Sequence, residues 1–191
     1  MEKDRLQAFS DGVIAILITI MVLELKVPHG SHWSALRPLV PVFLSYVLSF
    51  VNLGIYWNNH HHLLSATQRI NGAVLWANLH LLFWLSLFSF FTGWMGENHF
   101  DALPTAAYGV VLFMAGVAYY ILKTTILAAQ GPGSTLAQAL GSDAKGKISP
   151  VLYAIAVPFA FVNKWIAVAI YVLVAAMWFV PDRRIESAIG G

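Results

Sequence analysis

The chain has 191 residues, of which 59% are hydrophobic and 10% charged. A soluble domain carries about 25% charged residues, so this chain has too few to wet the outside of a globule, and a mean hydropathy of +0.70 agrees. It reads as an integral membrane protein, which excludes a soluble enzyme, a nucleic-acid binder and a disordered tail. A net charge of +2 is too small to imply a polyanionic partner. With no cysteine there is no disulfide, no thiolate metal ligand and no Cys nucleophile.

The charges fall in clusters, and the apolar gaps between them are candidate spans, each needing roughly 20 residues with about 17 tolerated. Six helices are predicted, over 5–26, 37–60, 71–94, 104–126, 147–162 and 165–181, as one transmembrane domain over 1–191. Pro38 and Pro41 fall in the first turn of the second helix, where a missing N–H costs little. The last two spans are short, and Pro158 lies inside the fifth. Between about 128 and 146 the chain reads as a flexible linker around one helical turn, Thr135 to Leu140.

Six spans place both termini on one side. Lys3, Arg5, Arg69, Lys123, Lys145, Lys147, Arg183 and Arg184 lie there, against Lys26, Arg37 and Lys164 opposite. This bias predicts cytoplasmic termini and a multi-pass protein of the inner (plasma) membrane. Residues 1–5 lack the shape of a signal peptide, so the first helix is expected to be retained. Trp33, Trp57, Trp94 and Trp165 fall near span ends, as interfacial anchors do.

The first helix carries the most information. Its uncharged core, residues 12–23, rises only about 18 Å, short of a roughly 30 Å hydrocarbon layer. A helix with Asp11 and Glu24 so close together belongs at the centre of a bundle or beside water. On a wheel of about 100° per residue, Thr19, Ile20 and Leu23 fall within about 60° of Ile16, and Gly12 joins the stripe. Taken alone, such a stripe is also what ordinary helix packing produces. Asp11 points about 140° away from it. Ionised carboxylates at membrane depth are costly and expected to be paired. Candidate partners are His60, His61 and His62 at the end of the second helix, and Trp76, Asn78 and His80 at the start of the third. With Arg5 and Ser10 at the same depth, the expected arrangement is a hydrogen-bonded network of Arg5, Ser10, Asp11, His60, Trp76, Asn78 and His80 joining three helices.

Arg5-x-x-x-Phe9-Ser10-Asp11, followed by the apolar run to Glu24, resembles the opening of the first helix of the lysosomal potassium channel family (transmembrane protein 175) and its bacterial relatives. Residues 59–63, Asn-His-His-His-Leu, and the Asn78/His80 pair resemble the same family, so the likeness covers about 5–80. The resemblance implies an all-α subunit of six transmembrane helices assembled as a homotetramer, with the first helix lining a central pore. It implies a potassium channel, modestly selective for K⁺ over Na⁺, whose constriction is a set of apolar rings instead of a carbonyl filter. Matched by distance from Asp11, the rings fall on Ile16, Ile20 and Leu23, with Thr19 as a hydroxyl layer, the face that the wheel isolates. It also places Phe9 beside the Asp11 network. Partners are then the lipid bilayer, monovalent cations with K⁺ permeant, and three further copies; no cofactor, metal or enzymatic activity is implied. Glu24, about 80° off the pore face, either pairs with Lys26 or concentrates cations at the outer mouth.

Two other readings use the same residues. A proton-coupled carrier would titrate Asp11 and His80, although no interrupted helix marks a midplane site. An intramembrane metalloenzyme would gather the histidines and Asp11, but three consecutive histidines spread around a helix and at most two converge. His29, His32 and His99 fall in outer loops and receive no role.

Overall fold

The computed structural model describes residues 3–131 and 144–179, and every regular element among them is helical. Helix α1 spans Lys3–Ile20 and tightens into a 3-10 turn, Met21–Glu24. Short 3-10 turns over Trp33–Ala35 and Arg37–Leu39 lead into α2, Val40–Ser65. Then follow α3 (Gly72–Ser86), α4 (Phe88–Glu97), α5 (Ala102–Gln130), α6 (Ala144–Val162) and α7 (Lys164–Phe179). With α3 and α4 taken as one span, the described residues form six apolar helical units, five long enough to cross a membrane and a shorter apolar α7. The expected Thr135–Leu140 turn, Arg183 and Arg184 lie outside the described residues.

Two spans depart from a continuous α-helix. The third span bends between Ser86 and Phe88, where neither proline nor glycine stands. The Ser86 hydroxyl donates to the Phe83 carbonyl at 2.7 Å, and the Leu87 N–H turns instead to Trp84 at 3.3 Å. A serine that takes its own helix's carbonyl bends the helix in this way. The first span stops being α-helical at Ile20, so Leu23 sits in a turn of three residues and stacks over Ile20. By contrast α6 runs through both Pro150 and Pro158, which neighbouring helices make tolerable inside a membrane.

The core lies where α3, α5, α6 and α7 meet, with α5 and α6 the most extensive pair. Phe88, Tyr108 and Tyr171 pack there as edge-on aromatic pairs, each 5.9 Å between centroids. Gly109 is required at this crossing, because the Tyr171 hydroxyl occupies the space that a β-carbon would fill and donates to the Thr105 carbonyl at 3.1 Å. Loops fasten the two ends. At one end Lys164 bonds the His99 carbonyl and Asp101, both at 3.0 Å. At the other, the Gln130 carboxamide bridges the backbone of residues 68 and 69. Helix α1 lies on the flank of this body, against α2 and α3.

Candidate functional site

The packing of α1 divides it into two faces. Leu6, Ser10, Ile14 and Met21 recur at helical spacing and are buried against the subunit. On the opposite side Ile16 is 59% exposed, Ile20 44% and Leu23 75%, with Gly12 and Thr19 exposed beside them. A continuous apolar stripe carrying one hydroxyl therefore points away from the subunit. Thr19 Oγ1 donates within 3.0 Å of the Ala15 and Ile16 carbonyls. Its hydrogen is thus turned into the helix, leaving oxygen lone pairs to face outward, the polarity a cation requires.

Two polar seams fix the rotation of α1. The inner seam is fully buried and runs through three helices. Ser10 Oγ donates to the Leu6 carbonyl at 2.9 Å and accepts from Asn78 Nδ2 at 3.0 Å. Asn78 Oδ1 in turn accepts from His60 Nε2 at 2.7 Å. This order of donors and acceptors fixes the tautomer, with the proton of His60 on Nε2. His60 Nδ1 is left as a buried lone pair with no partner.

The outer seam is an antiparallel zipper between α1 and α2. Lys3, Gln7 and Asp11 recur every four residues, as do Trp57, His61 and Ser65, so each set makes one ladder. Lys3 Nζ donates to the Ser65 carbonyl at 3.0 Å. Gln7 Nε2 reaches His61 Nδ1 at 3.0 Å and Ser65 Oγ at 3.3 Å. Trp57 Nε1 donates to Asp11 Oδ1 at 3.0 Å, and the other Asp11 oxygen lies 3.8 Å from His61 Nδ1.

The expected network therefore divides. Ser10, Asn78 and His60 come together, but Asp11 does not join them. It lies about one hundred degrees around α1 from Ser10, on a rim where its side chain is 32% exposed. Its partners are Trp57 and His61, which had been placed respectively as an interfacial anchor and among three candidate histidines. His80 accepts from Trp84 Nε1 at 3.0 Å, one turn along its own helix, and Trp76 is 75% exposed. Arg5 and Phe9 are also exposed, away from both seams. Asp11 and His80, the pair that a carrier would titrate, are held by different partners. Among the described residues no three His, Asp or Glu side chains converge to hold a metal ion. Gln7, His61 and Ser65 were discoverable from the matching period-four ladders.

At the far end of α1, Lys26 pairs with Glu97 at 2.5 Å instead of Glu24. The hydrogen bond to Glu97 and its charge raise the Lys26 ammonium above its ordinary value. The Glu24 carboxylate lies against Gly93 of α4, 2.7 Å from where a β-carbon would stand. A larger residue at Gly93 would displace it.

The sequence profile described as endosomal/lysosomal potassium channel TMEM175 matches residues 5–88, which hold the inner seam and all of α1 and the outer seam except the first residues, Lys3 among them. A Chryseobacterium sp. (strain P1-3) protein named as a potassium channel is 51% identical over 99% of this chain and 98% of its own length. A Chamaesiphon minutus protein with the same designation is 31% identical over 91% of this chain and 92% of its own. The chicken (Gallus gallus) protein named endosomal/lysosomal proton channel TMEM175 is 31% identical over 66% of this chain, which spans 28% of that longer protein. The fold matches the crystal structure of a lysosomal potassium-selective channel TMEM175 homolog from Chamaesiphon minutus. That match has a TM-score of 0.79 and 26% identity, and covers 94% of this chain and 97% of that one.

Proposed function

The chain belongs to the endosomal/lysosomal potassium channel TMEM175 family, and from that premise we propose that four copies enclose a central K⁺-permeable pore lined by α1. The observation that carries this reading is the stripe of Ile16, Thr19, Ile20 and Leu23, apolar and turned away from its own subunit. One helix cannot enclose a pathway. Identical subunits usually solve this by closed cyclic symmetry, and four is the number that the family resemblance implies. The eight-to-three bias of basic residues supports plasma-membrane insertion with both termini cytoplasmic.

In this arrangement Ile16, Ile20 and Leu23 form stacked apolar rings, and a ring of that kind gates by excluding water until it widens. An ion crossing it must shed part of its hydration. K⁺, being larger, sheds water at lower cost than Na⁺, and the outward lone pairs of Thr19 replace part of what is lost. An apolar ring has no dipoles tuned to one radius, so discrimination is modest. The names of the similar bacterial proteins support K⁺ as the permeant ion. The animal relatives are named for protons, which makes proton permeation the second reading.

Planar-bilayer recordings of purified protein under K⁺/Na⁺ bi-ionic conditions test the proposal, with an added pH gradient for the second reading. Ile16→Asn places amides at the first ring, which holds water there. It should move the reversal potential toward the non-selective value and raise resting current. An unchanged potential and conductance would sink the assignment of Ile16, and a conducting monomer by mass measurement would sink the central pore.

A further inference from the structure

A groove of about 270 Å³ runs between α2 and α7. Its wall along α2 begins at Phe50 and passes Gly54 to Asn58 and Asn59; Trp178 and Phe179 supply the α7 side. No lining residue is charged. The polarity is graded: apolar at the Phe50 end, carboxamides at the other. From Phe50 to Asn59 the helix rises about 14 Å, close to the roughly 15 Å thickness of one hydrocarbon leaflet. The carboxamide end lies toward the bundle end that carries Lys3 and Gln130, so it falls at the depth of lipid ester groups.

A second, more enclosed pocket shares Ile55, Asn59 and Trp178 with the groove and extends inward to Tyr119 and Gly146. The groove thus ends beside a small pocket whose lining includes the polar groups of Asn52, Tyr56, Asn59, Tyr119 and Ser149. Gly146 is flanked in sequence by Lys145 and Lys147, and Lys147 is exposed.

We propose that this groove binds one acyl chain of an anionic phospholipid from the leaflet on the side of the N-terminus, with its ester region at Asn58 and Asn59 and its phosphate toward Lys147. An uncharged groove open to the bilayer fills with hydrocarbon, because water there has too few partners. The carboxamides suit ester oxygens at one depth only. The exposed Lys147, one residue beyond the pocket-lining Gly146, supplies a cation at the same end of the bundle, as basic residues at a membrane boundary do.

Gly54 provides the test, since it lines the groove and a β-carbon added there meets nothing within 4 Å. Delipidated full-length protein is titrated with palmitoyl-oleoyl phosphatidylglycerol or the matching phosphatidylcholine and weighed by native mass spectrometry. The wild type should retain one phosphatidylglycerol per subunit. Gly54→Leu should weaken it about tenfold, the cost of losing two or so methylenes of chain contact, with an unchanged melting temperature. Lys147→Gln should bring phosphatidylglycerol down to the level of phosphatidylcholine. Leu173→Ala, exposed on α7 but outside the groove, should change nothing. Equal lipid counts in wild type and Gly54→Leu would overturn the proposal. So would loss of subunit assembly in Gly54→Leu, which would make the groove a contact between copies of the chain.

Discussion

The inner seam predicts that Asn78 matters more to stability than the charged residue beside it. In Asn78→Leu the side chain keeps nearly its volume but loses both carboxamide bonds, to Ser10 at 3.0 Å and to His60 at 2.7 Å. Hydrogen bonds between membrane helices average about 0.6 kcal/mol and reach about 1.7. Two of them account for roughly 1–3 kcal/mol. The His60 ring, 0% exposed and already lacking a partner for Nδ1, would then have neither nitrogen satisfied. An orphaned buried group adds about 1–3 kcal/mol, so a total near 2–5 kcal/mol follows. For a chain of this size that is on the order of 5–15 °C in the melting midpoint. Purified variants in one detergent, followed by thermal melting with size-exclusion readout, measure it. The double variant Asn78→Leu/His60→Leu should recover part of the loss, because replacing both partners by apolar groups removes the orphan. An Asn78→Leu protein melting with the wild type would refute the seam, as would a double variant whose loss is the sum of the two singles.

Asp11→Asn should cost under about 1 kcal/mol, since a partly solvated pair is worth little and the amide oxygen can still accept from Trp57; surviving channels should keep their K⁺/Na⁺ discrimination. Reduced conductance restored by high salt would instead put Asp11 at the pore mouth as a cation-attracting ring. The Lys26–Glu97 pair should stabilise the fold fully below about pH 10.5, the ordinary lysine value, and lose that contribution as pH rises through the raised value. Melting curves at pH 7 and above 10.5 should therefore diverge less in Glu97→Gln than in the wild type, and identical divergence would show the pair to be idle. Gly109→Ala should push the Tyr171 hydroxyl off the Thr105 carbonyl and cost about 1–3 kcal/mol, and an unshifted melt would contradict the close approach of α5 and α7.

The spans were readable because charges are rare enough in this chain to mark helix ends. The face of α1 was readable because Ile16, Thr19, Ile20 and Leu23 share one azimuth whatever they touch. The bend after Ser86 was not, since a serine in an apolar run looks the same whether its hydroxyl bonds its own helix or a neighbour. The extent of α2 was also underestimated, by five residues at its end. His61 and Ser65 look like loop residues until α1 is there to pair with them.

The division of the polar network shows what helical periodicity can and cannot settle. Ser10 and Asp11 are adjacent, as are His60 and His61, so each pair straddles a helix edge about 100° wide. Depth alone put Ser10, Asp11 and His60 in one cluster and left His61 out of it. The phase between α1 and α2 separates them. Once Leu6 and Ile14 are taken as the buried face, Ser10 must lie between them in the seam, and Asp11 must fall on the rim. The same choice on α2 puts His60, with Leu53 and Leu64, inside and leaves His61 with Trp57 outside. The sorting follows free energy: the neutral carboxamide, hydroxyl and imidazole can be buried when bonded to one another, whereas a carboxylate without a full charge partner stays where water reaches it. With both seams on one side of α1, the apolar stripe has only one direction left to face, outward from the subunit.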